Sequence, residues 1–330
     1  MKIKLTHKFN EIISIDNILD AWKEFVKGKR NKKDVAEFEF RLMDNILSLH
    51  NDLKNHIYAH GGYEQFNISD PKPRRISKAS VRDRLVHHML YRVLYPFFDR
   101  IFIADSYSCR EDKGTFKAIN KFRSYFYKVS KNDTRTCWVL KCDIKKFFDN
   151  INHDILTAIL SSYIPDKNIL LLCQEIIGSF YSTIPNAGLP LGNLTSQLFV
   201  NIYMNEFDQF IKHKIKAKYY IRYADDFIIL SDNHAWLESI LPVIRNFLGE
   251  RLKLQLHPDK VSIRAISSGI DFLGWVNFPD HRVLRTSTKR RMIKRVVEHS
   301  MPETINSYVA LLNHGNAKKL KSILFREGRF

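Results

Sequence analysis

Four cysteines are all that the 330 residues contain, and none stands in a CxxC pair. Cys109, Cys137, Cys142 and Cys173 offer neither zinc-site spacing nor a disulfide framework. Cys137 and Cys142 sit inside an apolar, strand-like run, where buried thiols are expected. Also missing is any apolar run near the roughly 20 residues that a membrane span needs, and the opening MKIKLTHKFN has no signal-peptide stretch. The cytoplasm is the expected compartment, with no membrane partner. Acidic residues are scarce, 35 against 53 Lys and Arg, which leaves a net charge of +18. A balance that far from zero points to a polyanion, nucleic acid before an anionic membrane. No internal repeat or low-complexity segment appears. The 45% hydrophobic content supplies a core for two or three small domains or one elaborated one.

What is present is organised by period. Val35, Phe38, Leu42, Ile46, Leu49 and Leu53 recur at helical spacing and predict one amphipathic helix over 34–53. Residues 63–77 read as two extended segments around Asp70-Pro71. A helix follows through SVRDRLVHHMLYRVLYPFF (80–98), in which His87 and His88 are ordinary helix residues. Lys72, Arg74, Arg75, Lys78, Arg82 and Arg84 cluster there, about half of them as a solvated face. CWVLKCDIKKFFDNI (137–151) is a buried strand ending at Asp143, with a helix from about 153 to 163. GLPLGNLTSQLFVNIYMNEFDQFI (188–211) opens as a Gly/Pro/Asn loop and becomes a helix. YIRYADDFIIL (220–230) is a hairpin, WLESILPVIRNFLGERL a helix and LQLHPDKVSIR a turn flanked by strands. IDFLGWVNF (270–278) reads as a single strand with a return at Pro279-Asp280. From 282 to 295 there are seven basic residues and no acidic one. This order, with antiparallel pairs, predicts an α+β layer architecture.

The hairpin poses the chemical question, because Asp225 and Asp226 lie side by side between two apolar runs. Like charges that close cost on the order of a few kcal/mol unless a cation intervenes. A divalent metal is one explanation, and a polar turn tip is the other. Asp143 ends a neighbouring strand, so one sheet would gather three carboxylates. Hard oxygen donors with open positions suit Mg²⁺. Two such ions can activate a 3′-hydroxyl and stabilise a leaving pyrophosphate. With the basic charge, the chemistry that emerges is nucleotidyl transfer on a nucleic acid.

The motifs resemble those of the reverse transcriptases, in order, over about residues 70–275. DIKKFF at 143–148 looks like their first catalytic motif, GLPLGNLTSQ at 188–197 like their nucleotide loop, and YADD at 223–226 like their signature. LHPDK at 256–260 is similar to their lysine-bearing turn and FLGW at 272–275 to their primer grip. The resemblance implies a right-hand polymerase, with an N-terminal helical extension (1–70), fingers (71–135), palm (136–281) and a short basic thumb (282–330). By it, Asp143 and Asp225, supported by Asp226, bind two Mg²⁺ ions, and Lys260 protonates or neutralises pyrophosphate. Arg75 grips the incoming dNTP, with Lys78 a weaker candidate, while Phe148, Leu191 and Gln197 line the nucleotide. Phe148 carries no hydrogen bond for a 2′-hydroxyl and favours DNA as product. Tyr223, Gly274, Trp275, Arg285, Lys289, Arg290 and Arg291 face primer and template RNA or the RNA/cDNA duplex.

One departure narrows the resemblance. Many of these enzymes have Gln-Gly and Ser-Pro in the loop, where this chain has Leu191-Gly192 and Ser196-Gln197. The variant looks like that of diversity-generating retroelements, which copy a template RNA with frequent errors at adenine and work with a small basic accessory protein. Alternatives are an antiphage-defence or unassigned bacterial reverse transcriptase, a viral RNA-dependent RNA polymerase, and an RNA-binding protein that keeps the fold without catalysis.

Overall fold

The computed structural model describes residues 3–69, 73–298 and 301–327, so Asp70, Pro71 and Lys72 lie outside the described residues. The architecture is α+β with antiparallel sheets, as expected. Among the described residues no helix is long and apolar enough to cross a membrane. Cys137, Cys142 and Cys173 are buried thiols, and Cys109 is exposed. The chain divides into two compact units, each assembled from three separate segments.

The first unit takes 1–104, 144–214 and 245–255. Its centre is the helix Val81–Asp99, which packs against the helices Ile15–Phe25 and Leu194–His213. Ser80 starts it, its hydroxyl accepting the Asp83 N–H. Leu85, Val86, Met89, Leu90 and Leu94 are wholly buried, about 1.5–3 kcal/mol each. His87, read as an ordinary helix residue, is buried and stacks on His60, and burial pushes its imidazole down to about 3. Strands β1 (Tyr63–Ile68) and β2 (Arg74–Ala79) form a two-stranded antiparallel sheet. The single helix expected over 34–53 is two, Lys33–Phe40 and Leu42–Lys54, broken at Arg41 with φ −119° and ψ 43°. The Asn45 side chain donates to the Phe38 carbonyl at 2.9 Å, supplying from a side chain what the interrupted backbone no longer gives.

The second unit takes 105–143, 215–244 and 256–330. Strands β3 (Trp138–Asp143), β4 (Tyr220–Tyr223), β5 (Asp226–Ser231) and β6 (Ser262–Ala265) form an antiparallel sheet in the order β4-β5-β3-β6. The helix Thr115–Val129 covers it, with Phe122 and Phe126 joining Val139, Ile221, Ile228 and Leu230 in one core. A second sheet runs β7 (Ile270–Phe272), β8 (Trp275–Asn277), β9 (Arg282–Leu284). IDFLGWVNF is therefore a hairpin rather than one strand. Leu273 and Gly274 both take positive φ, 51° and 85°, which is the pattern of a two-residue type I′ turn. The expected return at Pro279-Asp280 joins β8 to β9.

Candidate active site

Register brings the candidate carboxylates together. β3 pairs with β5 so that Asp143 stands opposite Asp226, and β4 pairs with β5 so that Tyr223 stands opposite Asp226. Only Ala224 and Asp225 remain to close the hairpin, so the second unit brings all three carboxylates to one end of one sheet. Burial raises the Asp226 carboxyl most; Lys141 opposes this and Asp225 and Asp143 add to it, leaving it at about 6. That costs on the order of a few kcal/mol. The hairpin bears it because Ile221, Phe227, Ile228 and Ile229 are wholly buried and together contribute roughly twice as much.

Two ammonium groups serve this cluster. The Pro258–Lys260 turn is tied to the strand end, the His257 N–H donating to the Asp143 carbonyl at 2.7 Å. Lys260 Nζ then reaches Asp143 Oδ1 at 3.0 Å. Lys141, which sequence reasoning missed, shares the Asp143 face of β3 and donates to the Asp271 carbonyl at 2.6 Å. A lysine two residues from a strand-end aspartate is a signal that could have been read. Among the described residues no group of three or more His, Cys, Asp or Glu forms a ready metal cage. Two opposed carboxylates and a third beside them fit Mg²⁺, which takes one or two carboxylates and completes its shell with water and substrate phosphates.

Arg222 was also missed. It lies wholly buried inside the hairpin, donating from Nη2 to Ser106 Oγ at 3.0 Å and from Nη1 to the Ala224 carbonyl at 3.2 Å. The break in the apolar run YIRYADDFIIL was its signal. Tyr223, half-buried, accepts from the Thr115 hydroxyl at 3.2 Å.

The remaining candidates of the second unit lie around the β7-β8-β9 sheet. Gly274 occupies the type I′ turn, and its carbonyl accepts the Arg285 N–H at 3.0 Å. Trp275 requires a correction, because its ring is 1% exposed and packs with Leu284, Met292, Val296, Ile305 and Leu312. A Cβ at Gly315 would fall 2.2 Å from that ring, so the glycine makes room for it. The indole is core and cannot face a duplex. Arg285 donates to Asp271 Oδ1 at 2.9 Å. Such a half-exposed pair is worth about 0–1 kcal/mol. On the helix Thr286–Glu298, Lys289 and Arg290 are exposed and Arg291 is half-buried, while Met292 and Val296 face the core.

In the first unit the nucleotide candidates are joined through backbone. The Ser77 N–H of β2 donates to the Leu191 carbonyl at 3.0 Å, and the buried Asn193 amide donates to the Ser77 carbonyl at 2.8 Å. Gly192, at φ +107°, passes so close that a Cβ would lie 2.8 Å from Ile76. Leu189 N–H donates to the Phe148 carbonyl at 2.9 Å, and His153 Nε2 lies 2.7 Å from the Gly188 carbonyl. Phe148, in the short turn Phe148–Asn150, and Leu191 are both half-buried, as is Gln197 on the first turn of its helix. Arg75 is exposed beside Gln65 on β1. Lys78 instead lies in ion pairs with Asp34 at 2.9 Å and Glu64 at 3.2 Å, and the Asp34 hydrogen bond raises its ammonium above the usual range.

An antiparallel sheet with carboxylates gathered at one end, in a chain of charge +18, is the build of a nucleic-acid polymerase. The family model described as reverse transcriptase (RNA-dependent DNA polymerase) matches residues 66–276, and the chain belongs to that family of RNA-directed DNA polymerases. Protein YkfC of Escherichia coli (strain K12) is 25% identical over 284 residues, covering 74% of this chain and 72% of YkfC. Group II intron-encoded protein LtrA of Lactococcus lactis subsp. cremoris is 23% identical over 313 residues, 73% of this chain and 49% of LtrA. The chain thus spans most of YkfC and about half of LtrA. Telomerase from Candida tropicalis superposes with TM-score 0.51 at 14% identity, over 74% of this chain and 60% of that one. Telomerase from Candida albicans, solved with a fragment of telomeric RNA, gives 0.50 at 13%, over 83% and 56%. At such identities the likeness speaks for the fold, that of right-hand polymerases.

Proposed function

We propose that this chain copies an RNA template into cDNA by two-metal nucleotidyl transfer, with frequent errors, as part of a diversity-generating retroelement. The observation that carries the catalytic part is the pairing of Asp143 opposite Asp226 with Asp225 in the adjoining turn. Asp143 and Asp225 hold the ions and Asp226 supports them. When bound, Mg²⁺ activates the primer 3′-hydroxyl and stabilises the leaving pyrophosphate. Lys260 either donates its ammonium proton to that pyrophosphate or stays charged and neutralises it electrostatically. Arg75 grips the dNTP phosphates through its bidentate fork, Lys78 acting as a reserve because two carboxylates already match its charge. Phe148 excludes a 2′-hydroxyl by contact, and Leu191 and Gln197 line the nucleotide. Tyr223 and the turn at Gly274 position the primer. Arg285, Lys289, Arg290 and Arg291 bind the phosphates of the template RNA and RNA/cDNA duplex. Extension (1–70), fingers (71–135), palm (136–281) and thumb (282–330) is the division that these roles imply.

The subtype rests on Leu191. An aliphatic side chain offers no hydrogen bond to the nucleotide, and a tenfold change in error needs only about 1.4 kcal/mol. The accessory partner is a small basic protein, and thiol cysteines fit a reducing compartment such as the cytoplasm.

Primer extension on a defined RNA, followed by sequencing of the cDNA, tests both parts. Asp225→Asn should lower synthesis by a factor of about 1,000 or more with RNA affinity nearly unchanged, and retained synthesis would remove the catalytic assignment. Leu191→Gln should reduce misincorporation opposite adenine. Equal error rates would leave the polymerase and remove the subtype argument.

A further inference from the structure

We propose that Arg222 is a positioning residue whose guanidinium fixes the left-handed turn at Ala224 and so presents Asp225 to the metal. The inference rests on the reading of Asp225 as a metal-binding carboxylate and adds what holds it there.

The β4-β5 hairpin closes with two residues between paired Tyr223 and Asp226. Ala224 takes φ 55°, whereas Asp225 is not among the residues of positive φ. Positive φ at the first central position alone is the type II′ pattern, and that position favours glycine. An alanine there works against its own backbone preference and persists only where surrounding contacts hold it.

Arg222 is the group that does so. Nη1 donates to the Ala224 carbonyl at 3.2 Å. That oxygen belongs to the same planar peptide unit as the Asp225 nitrogen, so fixing it fixes the plane from which Asp225 starts. Nη2 is anchored on Ser106 Oγ at 3.0 Å, and Arg222 and Ser106 are both wholly buried. The arginine backbone is held as well. Its N–H donates to the Asp105 carbonyl and its own carbonyl accepts from Tyr107 N–H, each at 3.0 Å, in a parallel bridge. Asp105 in turn accepts from the Tyr125 hydroxyl at 2.7 Å.

A buried guanidinium is a poor choice for packing alone, since an apolar residue of similar volume often stabilises as well or better. Its two-pronged, planar fork is the property that an apolar side chain lacks and that lysine cannot reproduce, because one ammonium cannot span both acceptors in a fixed plane. Its wholly buried neighbours in the hairpin include Ile221, Phe227, Ile228 and Ile229. The arginine is therefore explained by the turn it holds rather than by the core it occupies.

The test uses the full chain and three readouts: kcat and KM for dTTP on poly(rA)/oligo(dT), Mn²⁺ affinity from the electron paramagnetic resonance of free Mn²⁺, and the thermal midpoint. Arg222→Lys should lower kcat at least tenfold and weaken Mn²⁺ binding severalfold, with KM for dTTP within about twofold. Adding Ala224→Gly to Arg222→Lys should recover at least threefold in kcat and tighten Mn²⁺ again, because glycine takes this φ without help. An arginine that merely supports the core would show a lower midpoint and no rescue by glycine, and that result overturns the proposal, as does an unchanged Arg222→Lys enzyme. Should Arg222→Lys fail to fold, Ser106→Ala removes one of the two anchors. It should give a smaller loss in the same direction, again rescued by glycine, and no loss or no rescue overturns the proposal equally. The underlying reading fails separately, if Asp225→Asn keeps both polymerisation and Mn²⁺ affinity.

Discussion

In the unit that carries Asp143, Asp225 and Asp226, the carboxylates and their turn are held by other side chains: Lys260 on Asp143, Lys141 beside Asp226, Arg222 under the turn. In the unit that carries Phe148, Leu191 and Arg75, the corresponding surface is held by backbone: Ser77 on Leu191, Leu189 on Phe148. The first arrangement concentrates charge and tolerates its cost. The second fixes a shape and leaves its side chains partly exposed. On the roles proposed above, rate and selection would be built from different materials, and substitutions should separate them.

The largest separation is expected at Lys260. Lys260→Ala should lower kcat about 100-fold, the size of a general-acid contribution, and leave ribonucleotide exclusion unchanged. A variant that instead loses sugar selection would break the division. Phe148→Ala should do the reverse, cutting discrimination against ribonucleotides about tenfold in competitive primer extension at nearly constant kcat. Equal exclusion by variant and parent would put the sugar gate elsewhere.

The smallest effect is thermodynamic and concerns Asp226. Its carboxyl titrates at about 6 in the folded chain against an ordinary 3.8, so the unfolded chain releases its proton first as pH rises. Stability therefore falls between about pH 4 and 6, and the penalty is fully present above that window. Asp226→Asn should raise the thermal midpoint by roughly 3–5 °C at pH 8, in chelator, and by nothing at pH 4. A gain that persists at low pH would show that packing, rather than charge, is what the aspartate costs.

The same contrast governs what could be read from the chain. Asp143, Asp225 and Asp226 were legible because carboxylates at the ends of apolar strands demand an explanation, and a shared sheet brings such ends together. Lys260 was legible only through its motif. Arg222 escaped because its anchor, Ser106, is 116 residues away. The break at Arg41 escaped because one amide, Asn45, competes with helical periodicity. FLGW read as strand because Leu-Gly lacks the Asn-Gly or Asp-Gly signature of a type I′ turn, and Leu273 accepts a φ of 51° that its side chain disfavours. Trp275 was placed at the primer by its motif alone, and the glycine that accommodates its buried ring, Gly315, lies far along the chain between the last two helices.

The strand order β4-β5-β3-β6 also has a consequence for synthesis on the ribosome. The central strand β3 is made first, and its two partners follow about 80 and 120 residues later. At 5–20 residues per second, the edge of β3 waits roughly 4–16 s before β5 can pair with it. Pairings so distant in sequence are slow to form and leave a strand edge open meanwhile. Growth at lower temperature should therefore raise the yield of folded enzyme more than it would for a protein of local contacts.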